Sequence, residues 1–356
     1  MCWITTQNPE PCTSVLKQKE MFTSNLKNSN VKNYTVNTIK RLAQQMSMSA
    51  CLIATICFWP SLSAQQMGLA NQYDRIAGVL NPAYNGLNRA VQVDALTKSQ
   101  WANFPGSPKI NVVGAQIPLN RDFAAGLNLQ TLSVGKFQNA KPLSLFSIGA
   151  DLAYHKQLAK NLNVSTGIRV GLFSYNAQLS LLNANDPNDG SMIDNNYTIK
   201  TPLVGGGIML YGKQYFVSAS MPQYAIMATE QINQYNINYA SAPMMIFSTG
   251  YLQKLFKDWD GKITVQGRHF AGLPFHIDAN AYFYYKNQIM FGYGRRNNTA
   301  DVYQLQVRFN EFVWINYGYE RGYIYDSQTP FSSHEFGVSY KFYQPSKQMF
   351  IEPRNY

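Results

Sequence analysis

Apolar and polar residues alternate with a period of two along much of this chain. In SLFSIGADLAYH, residues 144–155, Phe146, Ile148, Ala150, Leu152 and Tyr154 fall on one side, with Ser147, Gly149, Asp151, Ala153 and His155 on the other. In NVSTGIRVGL, residues 163–172, Val164, Thr166, Ile168, Val170 and Leu172 oppose Ser165, Gly167, Arg169 and Gly171. Nearer the C-terminus, Tyr303, Leu305, Val307 and Phe309 oppose Gln304, Gln306 and Arg308. Successive side chains of a strand point to opposite faces, so each segment predicts a strand with one apolar and one polar face. About fourteen such strands are predicted, at 91–98, 109–117, 123–133, 143–156, 162–176, 201–211, 213–221, 244–255, 261–270, 276–286, 288–296, 301–309, 311–321 and 333–342.

Strands of a soluble β-sandwich alternate too, and three features separate the two cases. Many of these runs reach ten residues or more, against about five or six in soluble sheets and about 9 to 11 for a strand crossing lipid. Tyr and Phe gather toward strand ends on the apolar faces, as interfacial girdles require. The polar faces carry Asp151, Arg169, Arg268, Asp278, Arg308, Glu320, Glu335 and Lys341. Charges of both signs on small-residue faces suit a lumen in which they pair. Connections after the second, fourth, sixth, eighth, tenth and twelfth strands are short, whereas 177–200 and 222–243 are long. Short turns at one end and long loops at the other are the pattern of an outer-membrane barrel, with both termini on the periplasmic side.

Composition agrees. Charged residues make up 14%, against about 25% in soluble proteins, and aromatics match them at 14%, with 24 Tyr and 20 Phe. After position 64 no apolar run is long enough for a transmembrane helix, which needs about 18 residues or more. All four cysteines (Cys2, Cys12, Cys51, Cys57) precede position 58. The same region reads as a leader: Lys40 and Arg41 precede the apolar run MSACLIATICFW (48–59), and SLSA leads to a cleavage site near Ala64. Leu62 is not small, which allows a cut one residue earlier, and Met21 is an alternative start that keeps the basic residues. A short buried helix is the other reading of the apolar run. The leader holds six basic and two acidic residues, so the mature chain keeps 24 and 17, a net of +7. These charges are scattered, which speaks against nucleic acid.

Catalytic and metal motifs are sparse. Without cysteine the mature chain has no thiolate ligand or nucleophile, and His155, His269, His276 and His334 show no metal-ligand spacing. No cofactor is implied. Ser144 or Ser147 with His155 offers a weak hydrolase pair, and Asp186, Asp189 and Asp194 in the loop 183–196 a weak calcium site without EF-hand order. The triplet GGG, 205–207, falls within a strand, where it marks a close-packed or bulged position.

The motifs NPAYNG (81–86), SQW (99–101) and GSP (106–108), followed by Asp186-Pro187, GGGIMLY (205–211) and YFVSASMPQ (215–223), resemble the PorP/SprF family of outer-membrane proteins from the type IX secretion and gliding-motility system of Bacteroidetes. The likeness runs across essentially the whole mature chain. It departs at Lys98–Ser99, where the family often has Arg before Gln-Trp. The resemblance implies a barrel without enzymatic activity or cofactor that helps secrete or display large surface proteins, such as adhesins with a type B C-terminal domain. Its implied partners are that client, the secretion components and outer-membrane lipids. Asn81, Pro82, Tyr84, Gly86, Gln100, Trp101, Gly106 and Pro108 are the motif positions to examine for partner contacts. The other function class is a channel for small solutes. In domain terms the expectation is a leader at 1–64, a periplasmic N-terminal segment at 65–90, a barrel at 91–342 and a tail at 343–356. Locally, Pro82 restricts Asn81 to extended backbone and Asn85-Gly86 favours positive φ. Its place after the leader and before the first strand puts NPAYNG at the periplasmic mouth, where the segment caps or enters the barrel.

Overall fold

The fold was obtained as a computed structural model, which describes residues 70–135, 141–178, 196–226, 228–232, 235–239, 243–270, 274–297, 299–323 and 331–343. Fourteen antiparallel strands close into one barrel. They are β1 (Ala90–Ser99), β2 (Lys109–Pro118), β3 (Phe123–Val134), β4 (Leu143–Ala159), β5 (Leu162–Gln178), β6 (Asn196–Tyr211), β7 (Tyr215–Ala225), β10 (Met244–Phe256), β11 (Trp259–Phe270), β12 (His276–Tyr285), β13 (Ile289–Arg296), β14 (Ala300–Arg308), β15 (Val313–Gly322) and β16 (Phe331–Tyr343). Between β7 and β10 two short strands, β8 (Ala228–Ile232) and β9 (Tyr235–Tyr239), pair only with each other. Each barrel strand pairs with its neighbours in sequence, β7 pairing with β10. The cylinder closes where β1 meets β16, from Ala90 opposite Tyr343 to Ser99 opposite His334.

The barrel is built inside out relative to a soluble protein. On β5, Ile168, Val170 and Leu172 are 60–63% exposed, while Ser165 and Arg169 on the opposite face are at most 1% exposed. Alternation is what the sequence carries, and lipid outside with polar groups within is the solution that satisfies every backbone group in a closed sheet. Aromatic pairs mark both interfaces. Phe123–Tyr154 and Trp259–Tyr285, each with ring centres 5.0 Å apart, lie at the short-turn end, and Tyr293–Tyr303, at 5.6 Å, at the long-loop end. This places the chain in the outer membrane, with its long loops facing the cell surface by the usual orientation of such barrels.

Two sequence expectations shift. The strand expected from 201 begins at Asn196, because β5 also runs on and gives Asn196–Lys200 partners from Ser174 to Gln178. The β8–β9 pair inside the long connection 222–243 was not anticipated, since five-residue strands fall short of a membrane crossing.

Inside the cylinder runs the N-terminal segment. Residues 70–89 are mostly buried and none is exposed, and Tyr73, Ile76, Val79 and Leu80 join Leu96, Ile110, Val112, Met244, Ile246 and Phe270 of the wall in an apolar cluster. The described part of the stretch expected at the periplasmic mouth therefore fills the lumen. The cause is the wall itself: its buried polar groups need partners, and the segment supplies them.

Candidate functional site

NPAYNG folds as a compact turn. Asn81 is extended (φ −149°, ψ 111°), as Pro82 dictates, and its Oδ1 accepts from the Ala83 amide at 2.9 Å to cap the 3-10 turn Pro82–Tyr84. Asn85 has φ −60° and ψ 131°, and Gly86 takes φ +77°. The Leu87 amide donates to the Tyr84 carbonyl at 3.2 Å, which closes a type II turn. Positive φ thus falls on the glycine alone.

The wall at this point is made of small residues. A Cβ on Gly167 would meet the backbone of Pro82 and Ala83, and one on Gly207 would meet the Asn81 side chain. GGG at 205–207 is both of the things expected of it. Pairing of β6 with β7 shifts register between Val204 and Gly206, and Gly207 gives the segment room.

Hydrogen bonds from the wall hold the segment largely by its main chain. Arg169 donates to the carbonyls of Val79 at 2.5 Å and Gly78 at 2.8 Å, Ser220 to Leu80 at 2.9 Å and Ser165 to Ala83 at 2.7 Å. His155 Nε2 meets the Asn85 carbonyl at 2.8 Å, and the Gly86 amide donates to Gln116 at 2.6 Å. Side chains contribute as well: Asn85 donates to Asp151 at 2.8 Å, and Tyr84 OH lies 3.3 Å from Ser218.

The opposite end of the segment is bound by charge. Lys98 bridges Glu320 at 2.8 Å and Glu335 at 3.2 Å, and Arg296 reaches Asp278 at 2.9 Å and Glu320 at 3.4 Å. Arg268 completes the network on Asp278. Into it the segment places Asn71, whose amide donates to Glu335 at 2.5 Å and whose side chain donates to Glu320 and accepts from Arg296. Gln72 adds an amide bond to Glu335 at 3.1 Å, and Asp74 pairs with Lys262 at 2.8 Å. Lys98 and Arg296 sit at the long-loop ends of β1 and β13, whereas Gln116 and His155 lie toward the short-turn ends of β2 and β4. Residues 71–86 therefore traverse the lumen from the outer mouth inward.

Of the polar-face charges read from the sequence, Asp151, Arg169, Arg268, Asp278, Glu320, Glu335 and Lys341 are buried in the lumen. Asp151 and Arg169 pair bidentately at 2.6 and 2.8 Å. Arg308 differs: half-buried at the end of β14, it donates to the Asn310 and Glu311 carbonyls of the neighbouring turn. Lys98, the departure from the expected Arg, is 1% exposed and engaged as a compact charge between two carboxylates. Asn71, Ser220 and Gln116 were not singled out by sequence, and Ser165 was read only as one of the polar-face residues of its strand. Alternation marks the wall residues as inward-facing, and nothing local marks their partners.

The other motif residues lie at the outer mouth, in the β1–β2 loop. The Gln100 amide donates to the Pro108 carbonyl at 2.9 Å, and the Gly106 carbonyl accepts from Gly135 at 2.8 Å. Trp101 takes φ +51°, its amide meets Ser333 Oγ at 3.2 Å, and its ring packs edge-on against Phe331, on which Phe104 stacks. SQW thus ties the first loop to the last strand, and GSP ties it to itself and to Gly135 just past β3.

The hydrolase pair does not assemble. Ser147 and His155 stand eight residues apart on one strand, about 26 Å. Ser147 bonds Gln223, and His155 is engaged by Asn85 and Tyr211. Asp186, Asp189 and Asp194 lie outside the described residues. A cavity of about 20 Å³ between segment and wall, bordered by Tyr73, Asn81, Tyr84 and Ser218 among others, has room for about one water.

Comparison with known families places residues 62–340 in the family described as "Type IX secretion system membrane protein PorP/SprF". No curated protein matches the chain. Among solved structures it is similar to the CymD monoaromatic hydrocarbon channel, at 11% identity and a TM-score of 0.46, covering 78% of this chain and 94% of that one. The toluene transporter TodX of Pseudomonas putida gives 11% and 0.44, covering 82% and 97%. The KdgM porin gives 9% and 0.34, covering 71% and 99%.

Proposed function

Because the chain belongs to the PorP/SprF family of type IX secretion system membrane proteins, we propose that it is a non-enzymatic outer-membrane barrel that assists the secretion, display or anchoring of large cell-surface proteins. The clients fitting this reading are adhesins with a type B C-terminal domain. They engage the long-loop end, while the short-turn end and both barrel termini face the secretion machinery. One observation carries the choice between binding and conduction. The lumen is filled by the chain's own residues 70–89, bonded to the wall at both ends. Among the described residues this segment occupies the space that a solute path would need, and the wall around it is one that binds polypeptide.

Deletion of the gene tests the reading, with surface adhesin measured by whole-cell immunofluorescence and the tagged barrel purified from native outer membranes. Loss of display, with an adhesin or a secretion component co-eluting, is expected. Normal display in the deletion strain would overturn the proposal. A stable open conductance of the intact barrel in lipid bilayers would favour the channel instead.

A further inference from the structure

Near the long-loop end, the lipid-facing side of β13–β16 differs from that of β1–β3. On β1–β3 an outward row is neutral: Thr97 donates to Asn111 at 2.8 Å, and Asn111 to Thr131 at 3.0 Å. On β13–β15 the strand register sets Arg295, Asp301 and Arg321 side by side, with both arginines exposed. The carboxylate between them is covered. Asp301 accepts from Arg295 at 2.8 Å, from the Tyr293 hydroxyl at 3.0 Å and from the Tyr323 hydroxyl. The Tyr323 ring lies against both guanidiniums, 5.7 Å from Arg295 and 5.6 Å from Arg321. One carboxylate thus holds two arginines together through a tyrosine, and one positive charge is left over. Arg321 makes no ion pair among the described residues.

The rows beneath set the depth of this pair. Two residues toward the midplane along each strand, about 7 Å, come Tyr293, Tyr303, Tyr319 and His334, with successive ring centres 5.6, 6.4 and 5.4 Å apart. Two residues further, Phe291, Leu305, Tyr317 and Phe336 are all exposed. An aromatic belt sits at headgroup level and the apolar band below it among acyl chains, so the arginines stand where lipid phosphates lie. A guanidinium presents a planar fork that phosphate oxygens match bidentately. We propose that this face binds a phosphorylated glycolipid of the outer leaflet, with Arg295 and Arg321 on the phosphate and the tyrosine ladder against the sugar and the head of the acyl chains. A soluble anion would engage the arginines and leave the ladder unused, whereas a lipid uses both. Asp301 is a positioning residue, the common anchor of Arg295 and Tyr323.

The intact barrel, purified in detergent, is titrated with lipid A and with dephosphorylated lipid A of the same acyl chains, and bound lipid is counted by native mass spectrometry. Binding of lipid A is expected, weaker by about tenfold or more for the dephosphorylated form and for Arg295→Gln combined with Arg321→Gln. Arg321→Gln alone leaves the Asp301 cluster intact and is expected to weaken binding about fivefold. It keeps the test open if the double variant fails to fold, which heat-modifiable mobility on gels reports. Lys109→Gln with Lys200→Gln removes two exposed positive charges from the same end and is expected to change affinity by less than about twofold. Equal affinity for the two lipids, unchanged binding by the arginine variants or an equal loss in the lysine variant would overturn the site. So would a photo-crosslinking residue at Tyr303 that captures protein in place of glycolipid in native membranes. No secretion step enters these measurements, so their outcome is separate from that of the secretion reading.

Discussion

The inner and outer halves of the lumenal segment solve the same burial problem by different means. At 81–86 the solution is shape. A turn with one positive-φ glycine, Gly86, lies against a wall from which side chains have been removed at Gly167 and Gly207. At 71–75 the solution is charge, with Asn71 and Asp74 set among Lys98, Lys262, Arg296, Glu320 and Glu335. Close packing tolerates little change of volume, whereas the outer charges largely satisfy one another across the wall. Both halves are therefore bound to this sequence, the inner one by the shape of its turn and the outer one by the side chains of Asn71, Tyr73 and Asp74. Arg169 joins the two, holding Asp151 near the turn and the Gly78 and Val79 carbonyls above it.

That junction is where the comparison breaks most readily. Arg169→Ala leaves Asp151 buried without its cation and removes donors from both carbonyls, so a loss of about 3–5 kcal/mol is expected. It reads as a lower temperature of heat-modifiability and as protease cutting within 70–89, in both halves. Next is Gly167→Val, which drives a side chain into the Pro82 and Ala83 backbone at a cost of about 1–3 kcal/mol. Labelling of a cysteine placed at Tyr84 should rise while one at Asn71 stays protected; equal exposure of the two would erase the division. Glu335→Gln keeps one acceptor oxygen where the Asn71 and Gln72 amides use two, and removes one of two carboxylates on Lys98. A loss of about 1–2 kcal/mol is expected, with exposure confined to the outer half. The smallest effect, about 1 kcal/mol, is expected for Asn81→Ala, which deletes a cap and should be visible by unfolding midpoint alone.

Much of the barrel was legible in the sequence because its causes are local. Period-two alternation over 144–155 and 163–172 placed β4 and β5 and told their faces apart. Pro82 and Gly86 set the turn in NPAYNG through their own backbone preferences. The inward charges were visible as a set, and one of them, Arg308, serves a turn instead because it stands at a strand end, where the turn carbonyls are within its reach. The pair β8–β9 was not legible, since ten residues without a membrane-length run give no signal distinct from loop.

By itself the sequence determined the number and order of the membrane strands, which face each presents, and that NPAYNG bends. Each follows from interactions between residues a few positions apart. Only the tertiary structure decided that residues 70–89 enter the lumen and which wall group each meets. Asn71 finds Glu335 across 264 residues of chain and Arg169 finds Val79 across 90. Such pairings come into existence when the sheet closes, because closure buries the polar wall and makes every unpaired group on it expensive.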